Sequence, residues 1–371
     1  MRVAFISTHP APYRDAFIAR FVRTPDAVVR VFSLFPNDRG HDFWKLEVPD
    51  YKAAVLAQYS EPRWKLMWRL LRKFVFTRQY DLVFWPGFFC FYLKIPILFC
   101  GLVGKRYAFS ADSVKQPPIG RIGFLVKRFL VRHAAFIFVP GEAGAKFFTE
   151  TFGISREKIV MGAYALDGEV LEKKIDGFRR EREAIRQKLQ LTLGDTVFLM
   201  VANMIKTRYY PITAAAFVRF SSRHPGVKFV MVGRGPDMEA MQELTKTHDC
   251  LRVIPGCSFE EMLKLYAAAD VYVHGGTEPS STALVIGAIA KLPVISSPAV
   301  GCYYDVVRDE ESGVAVVNHL DSEEWTLAFE KIVTLRDQWH EMGERARQLS
   351  AVLDVDNAVS MFVQAVRRAC K

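Results

Sequence analysis

Residues 274–297 read His-Gly-Gly-Thr-Glu-Pro-Ser-Ser-Thr-Ala-Leu-Val-Ile-Gly-Ala-Ile-Ala-Lys-Leu-Pro-Val-Ile-Ser-Ser. An apolar strand, Val271 to His274, runs into a Gly-rich turn, and one carboxylate, Glu278, stands in that turn. Ser280, Ser281 and Thr282 then open a helix, and a second apolar strand begins at Pro293. Strand, turn, helix and strand in this order form a unit of parallel sheet. A helix N-terminus offers unpaired N–H groups and the positive end of a dipole, which suits a phosphate. A carboxylate beside that phosphate can hold sugar hydroxyls. The turn therefore predicts a site for a sugar joined to a phosphate, as in a nucleotide sugar.

The same alternation extends in both directions. Val3–Ser7, Val28–Phe32, Leu82–Trp85, Tyr107–Ser110 and Phe136–Val139 read as one series of strands. Val197–Val201, Lys228–Val232, Arg252–Ile254, Val271–His274, Val294–Ser296 and Ala315–Val317 read as a second. Helix-type segments separate them, which predicts an α/β protein of two Rossmann-like, doubly wound domains facing across a cleft. At 371 residues the chain is long for a single core. The expected divisions are a first domain over 1–175, a second over 176–353 and a C-terminal helix over 354–371. That helix carries Val355, Val359, Phe362, Val363 and Val366 on one face and is expected to pack back towards the first domain. Around 165–190 a charged, helical connector is expected, with Glu172-Lys173-Lys174 and Arg179-Arg180-Glu181-Arg182-Glu183.

Half of the residues are apolar, which excludes a disordered chain. The N-terminus turns polar at Thr8-His9-Pro10, too early for a signal peptide. The six cysteines have no metal-ligand spacing and read as reduced thiols of a cytoplasmic protein. Pro86, Gly87, Lys94 and Pro96 interrupt the apolar run 84–103, so a buried helix is expected there rather than a membrane span. The net charge of +10 is uneven. Residues 1–180 hold 29 Lys and Arg against 16 Asp and Glu, a balance of +13, and the remainder has a balance of −3. The first half is either an ordinary solvated surface or one that meets an anionic partner such as phospholipid, lipid pyrophosphate or nucleic acid.

Several turns follow strands on the edge where such folds bind ligands. Gly233-Arg234-Gly235-Pro236 is either a plain tight turn or a place where backbone approaches a nucleoside, with Ile254 beside it. Lys206 and Arg208, in the turn that begins Ala202-Asn203, are either solvated cations or the partners of a diphosphate. His9, Tyr13 and Arg14 follow the first strand and are candidates for acceptor binding, although a lone His in a turn is often structural. Asp112 is either a catalytic carboxylate or a helix N-cap. In 63–76, Trp64, Met67, Trp68 and Leu71 share one expected helical face, with Lys65, Arg69, Arg72 and Lys73 across from it. That is either a core helix with a basic face or a helix lying in a bilayer interface. There is no P-loop, no dinucleotide fingerprint after the first strand, no zinc spacing and no Gly-x-Ser-x-Gly. Nucleotide hydrolysis, dinucleotide redox chemistry and serine hydrolysis are disfavoured accordingly.

In order, the Lys/Arg turn, Val232-Gly-Arg-Gly-Pro236, Ile254-Pro-Gly256, Tyr266-Ala-Ala-Ala-Asp-Val-Tyr-Val273, Glu278-Pro279, Leu292-Pro-Val-Ile295 and Val300-Gly-Cys-Tyr-Tyr-Asp305 resemble a GT-B-fold retaining glycosyltransferase of family 4, of the bacterial surface-polysaccharide type. The resemblance implies a nucleotide-sugar donor, UDP- or GDP-linked, in the second domain, and a lipid-linked or glycan acceptor in the first. It implies transfer with retention of anomeric configuration, with no metal and no other cofactor. It implies a cytoplasmic protein peripheral on the inner face of the membrane, held by Trp64, Lys65, Trp68, Arg69, Arg72 and Lys73.

Glu278 matches the family's donor-sugar carboxylate. Asn203 and Arg208 stand where the family has an Arg and a Lys on the diphosphate, with Lys206 between them. Gly233, Ile254, Ser280, Ser281 and Thr282 complete the donor set. The family's second glutamate, eight residues after the first, is replaced by Ile286, and its N-domain His is absent, with Asp112 as the substitute. These departures leave open a non-catalytic GT-B partner protein. A nucleotide-sugar epimerase would need more cleft carboxylates and His, and a transferase acting on nucleic acid lacks a recognition motif.

Overall fold

Short runs of β-branched and aromatic residues, buried on both faces, build two all-parallel sheets. The computed structural model describes residues 1–10, 12–25, 27–36, 51–115 and 118–371, with only the backbone of Pro12 and Tyr13. The chain divides into two units, 1–166 with 352–371, and 167–351.

In the first unit, seven strands are described: β1 (Arg2–Ser7), β2 (Val28–Ser33), β3 (Ala53–Val55), β4 (Leu82–Trp85), β5 (Tyr107–Ser110), β6 (Ile137–Val139) and β7 (Ile159–Met161). Their order is β3-β2-β1-β4-β5-β6-β7. One face of this sheet carries a phenylalanine cluster closed by the C-terminal helix Val355–Cys370. The Phe362 ring lies 4.9–6.1 Å from those of Phe5, Phe17, Phe21, Phe84, Phe136 and Phe138. The returning chain is pinned by Val355 N–H donating to the Leu166 carbonyl at 2.8 Å.

The second unit contains β8 (Thr196–Val201), β9 (Val227–Val232), β10 (Leu251–Ile254), β11 (Val271–His274), β12 (Val294–Ser296) and β13 (Gly313–Ala315), ordered β10-β9-β8-β11-β12-β13. The strand order reverses between β8 and β11, so the crevice for a ligand lies at the carboxyl ends of those two strands. The charged connector is not a free linker. Asp167 caps the helix Gly168–Arg179 through Val170 N–H, and the first unit therefore ends at Leu166 rather than at 175. In the next helix, Arg186 is 2% exposed. It donates to the carbonyls of Ala268, Thr192, Leu193 and Asp195 and to the Asp270 carboxylate at 2.7 Å. Asp270 also takes Arg182 at 2.6 Å and Val197 N–H at 2.8 Å, so a buried cation is fully satisfied and clamps this helix to β8.

Three expectations are corrected. The run 84–103 is the end of β4 and then the helix Phe91–Leu102, split at Pro86-Gly87. The last strand is Gly313–Ala315, because the bare Gly313 allows the approach to Val294 while Val317 is left 78% exposed. In 63–76 the buried positions are Leu66, Leu70, Leu71, Phe74 and Val75. The helix Arg63–Leu70 passes into a π-helical turn, Leu71–Val75, closed by Phe76 N–H on the Leu71 carbonyl. Trp64 and Trp68 point outward instead, 56% and 54% exposed.

Truncating the ring at the centre of the phenylalanine cluster removes both burial and packing. Phe362→Ala is expected to lower the unfolding free energy of the first unit by about 3–5 kcal/mol, read as a fall in the urea midpoint of that unit.

Candidate active site

Glu278 sits in the turn between β11 and the helix Thr282–Ile289, and its carboxylate is held on both oxygens. His274, the last residue of β11 and fully buried, places Nε2 2.7 Å from Oε1. Arg208 donates to Oε2 at 2.7 Å and to the Thr277 carbonyl at 3.1 Å. Nε2 carries the proton of the His274–Glu278 bond, because a bare nitrogen would repel the carboxylate. On its other side the Nδ1 meets the Tyr272 hydroxyl at 3.3 Å, itself 3.3 Å from the Val201 carbonyl. A line of polar contacts thus runs from β8 through Tyr272 and His274 to Glu278 and back to Arg208 in the turn after β8. Burial alone would raise the Glu278 carboxyl. The His274 hydrogen bond and charge, the Arg208 charge and the Ser281 hydroxyl outweigh burial and hold it below its ordinary value of 4.5.

The Ser281 hydroxyl accepts from Leu284 N–H at 3.3 Å, and Ser281 N–H is taken by the Cys302 sulfur at 3.3 Å. The next two N–H groups, of Thr282 and Ala283, are orphans of the helix start and are the ones free to meet a phosphate. The turn after β12 is tied to the site by Gly301 N–H on the Glu278 carbonyl at 2.7 Å.

On the other side of β8, Gly233 N–H donates to the Ile254 carbonyl at 3.1 Å and Met204 N–H to the Arg234 carbonyl at 2.8 Å. A Cβ on Gly233 would overlap the Ala202 carbonyl, and one on Gly235 the Met204 carbonyl. These glycines let the turns after β8 and β9 close against each other, which gives them a structural reason independent of any ligand.

The structure therefore brings together Arg208, Glu278, Ser281 and Thr282, with Ser280 in the same turn. Asn203 and Lys206 are exposed in the turn after β8 and make no side-chain hydrogen bond or ion pair with that cluster among the described residues. Ile286 is buried, so no carboxylate replaces the absent one at that position. In the first unit, Arg14 folds back on its own turn, donating to Thr8 Oγ1 at 2.6 Å and to the His9 carbonyl at 3.1 Å. The Tyr13 side chain lies outside the described residues. Asp112 is exposed after β5 and lies 3.4 Å from the Tyr164 hydroxyl. Among the described residues no helix starts there, which removes the N-cap reading, since the next described helix begins at Arg121.

Of the basic helix residues, Arg69 is tied to Glu61 at 3.0 Å and to the Leu56 carbonyl, and Lys73 lies 4.6 Å from the Phe32 ring centroid. Lys65 and Arg72 remain on the surface, and all six predicted residues border one open depression. Sequence reasoning assigned no role to His274, Tyr272 or Cys302. The signal was present for His274, which stands four residues before Glu278 at a strand end.

The two parallel-sheet domains make a GT-B fold, and similarity to known proteins agrees. Residues 181–349 match the family described as glycosyl transferases group 1. The alpha-monoglucosyldiacylglycerol synthase of Acholeplasma laidlawii is 25% identical over 139 residues, 36% of this chain and 34% of that protein. The chain thus matches about a third of that relative's length. Among solved structures, a glycosyltransferase from Rickettsia africae superposes with a TM-score of 0.77 at 13% identity, covering 100% of this chain and 98% of the other. Anabaena Alr3699/HepE in complex with UDP superposes with a TM-score of 0.74 at 14% identity, covering 99% and 100%.

A carboxyl held below its ordinary value stabilises the fold while ionised and ceases to do so as the pH falls through its native value. The wild-type melting temperature should therefore fall more steeply below pH 4.5 than that of Glu278→Gln. Parallel curves in differential scanning fluorimetry between pH 3 and 7 would contradict the charged cluster.

Proposed function

We propose that this protein transfers a sugar from a UDP- or GDP-linked donor to a lipid-linked or glycan acceptor, with retention of anomeric configuration. The observation that carries the reading is the Glu278 carboxylate, fixed between His274 and Arg208 where the strand order reverses, one turn before the helix N-terminus at Thr282. The group 1 match over 181–349 and the GT-B fold support it.

Cleaving the sugar–phosphate bond builds negative charge on the departing diphosphate. Two of the five N–H bonds of Arg208 are engaged by Glu278 and Thr277, which leaves three for phosphate oxygens. The Thr282 and Ala283 N–H groups and the Lys206 ammonium add to that stabilisation. Cations and a helix dipole supply what a metal would, so the reaction is metal-independent. Glu278, oriented by its two partners, receives donor-sugar hydroxyls. In the retaining reaction the acceptor hydroxyl attacks from the face the diphosphate leaves. His9, Tyr13, Arg14 and Asp112, at the carboxyl edge of the first sheet, form the acceptor side. Arg14 there holds the turn, and Asp112 is the exposed carboxylate.

Ile286, buried within the helix between Leu284 and Ile289, supplies no carboxylate for a ribose, and this favours one second reading, a non-catalytic GT-B partner. Calorimetry with nucleoside diphosphates separates the two. Arg208→Ala should weaken binding more than Lys206→Ala. Glu278→Gln should remove most transfer while the fold and diphosphate binding persist. Chelator should leave the rate unchanged. No nucleotide binding by wild type would favour the non-catalytic partner.

The acceptor side is further read as working at an anionic membrane, on the inner face of the cytoplasmic membrane. Trp64 and Trp68 are exposed beside Lys65 and Arg72, and Phe76, Phe89, Phe91, Phe99 and Leu102 are exposed in the same unit. Each cation near an anionic surface contributes about 1 kcal/mol, and interfacial aromatics add apolar burial. No helix among the described residues is long and apolar enough to cross a membrane, so contact would be peripheral. Wild type should co-sediment with liposomes containing phosphatidylglycerol, less so at high salt. Lys65→Glu/Arg72→Glu, which spares the tied Arg69 and Lys73, should reduce it. Equal sedimentation of both proteins would make this an ordinary solvated helix.

A further inference from the structure

Arg234 stands in the turn after β9 and is the only charged residue between Gly233 and Pro236. Its side chain is ordered rather than loosely solvated. Nε donates to the Pro255 carbonyl, at the end of β10, at 2.9 Å. The chain lies across Gly256, whose φ is +78°, and a Cβ at Gly256 would come within 2.5 Å of Nε and 3.1 Å of Cγ. A glycine therefore makes room for this arginine. The two terminal nitrogens make no hydrogen bond and no ion pair among the described residues, and the residue is exposed. An arginine fixed at Nε with both Nη groups presented and unpaired is arranged for a ligand with acceptors side by side.

Its position says which part of a ligand that is. The sheet order places β9 beyond β8, and β8 beside β11. Neighbouring strands lie about 4.8 Å apart, so the carboxyl ends of β9 and β11 are separated by about 10 Å. A diphosphate seated at Arg208 and the Thr282 helix start occupies the β8–β11 side. A nucleoside extending from it along the same edge reaches the ends of β9 and β10, where Arg234, Ile254 and Pro255 stand. Ile286 supplies no carboxylate for the ribose, so discrimination between nucleosides has to come from another group.

We propose that Arg234 is a specificity-determining residue of the donor site, its Nη pair donating to the keto oxygen of the nucleobase. The inference rests on the nucleotide-sugar reading above. Uracil presents O4 and guanine presents O6 beside N7, all acceptors, and arginine pairs with the latter two at once. Adenine and cytosine present an amino group at the corresponding position, which would oppose the guanidinium.

The test is titration calorimetry of the full chain with UDP, GDP, ADP, CDP and inorganic pyrophosphate. Wild type, Arg234→Ala and Arg234→Lys are compared, with circular dichroism to confirm that the variants fold. Wild type should bind UDP or GDP about tenfold or more tightly than ADP and CDP. Arg234→Ala should abolish that preference while pyrophosphate binding is unchanged. Arg234→Lys, which keeps the charge and loses the fork, should abolish it too. The assignment is overturned if the preference survives Arg234→Ala, or if wild type prefers ADP or CDP. It is also overturned if all five ligands weaken alike, because Arg234 would then be a phosphate contact. If wild type binds none of the nucleotides, the transferase reading falls and this assignment with it.

Discussion

The candidate site depends on keeping one carboxylate ionised out of water. Removing a carboxylate from water costs several kcal/mol, and only close, well-aligned partners offset that. Glu278 has them on both oxygens, His274 at 2.7 Å and Arg208 at 2.7 Å, with side-chain exposures of 0% and 16%. The arrangement fixes more than a charge. Arg208 belongs to the turn after β8 and His274 to the end of β11, so the pair of bonds joins the two strands at which the sheet order reverses. The electrostatic tie fixes the two turns against each other at the switch point, with Arg208 and Glu278 partly exposed there and His274 fully buried behind them.

That tie works because the surrounding turns approach one another closely. The turns after β8 and β9 interlock through Met204 N–H on the Arg234 carbonyl and Asp237 N–H on the Met204 carbonyl. Side chains at Gly233 or Gly235 would separate them. On the other flank, Gly301 and Cys302 carry the turn after β12 up to Glu278 and Ser281. Further from the edge, Asp270 and Arg186 anchor β8 from its opposite end. Charge pairing therefore acts at both ends of β8, buried at one and partly exposed at the other.

Much of this was legible from the chain. β4, β5, β11 and β12 have the bounds that their apolar runs suggest, because strands buried on both faces leave no polar residue inside. β3 and β7 were not foreseen. Each is a three-residue edge strand, and Ala53–Val55 is largely exposed, so neither carries a strong apolar signal. The grouping of Leu71 with Trp64 and Trp68 fails for a different reason. The π-helical turn begins at Leu71, which is buried, while Trp64 and Trp68 in the preceding α-helix are exposed. Glu278 and Arg208 were identified by their types and spacing, but their bond to each other was not, because 70 residues separate them and only the sheet order brings them together. His274 was given no role although it stands four residues before Glu278, and what establishes one is its 2.7 Å contact with that carboxylate.

Charge and exposure divide between the units in a consistent way. The first half of the chain carries the excess of cations, and large exposed apolar side chains gather in 64–125, including Trp64, Trp68, Phe89, Phe91, Ile122 and Leu125. An exposed apolar residue next to a cation is costly to keep in water when isolated and favourable at an interface that offers both acyl chain and phosphate. The second unit is mildly acidic, and Arg234, Lys206 and the Thr282 and Ala283 N–H groups lie in turns along one edge of its sheet. A soluble anion needs a small, directional set of donors, whereas a surface needs many weakly directional ones. The proposed donor site and the proposed membrane contact rest on these two distributions. Each follows from local sequence that the rest of its sheet does not require.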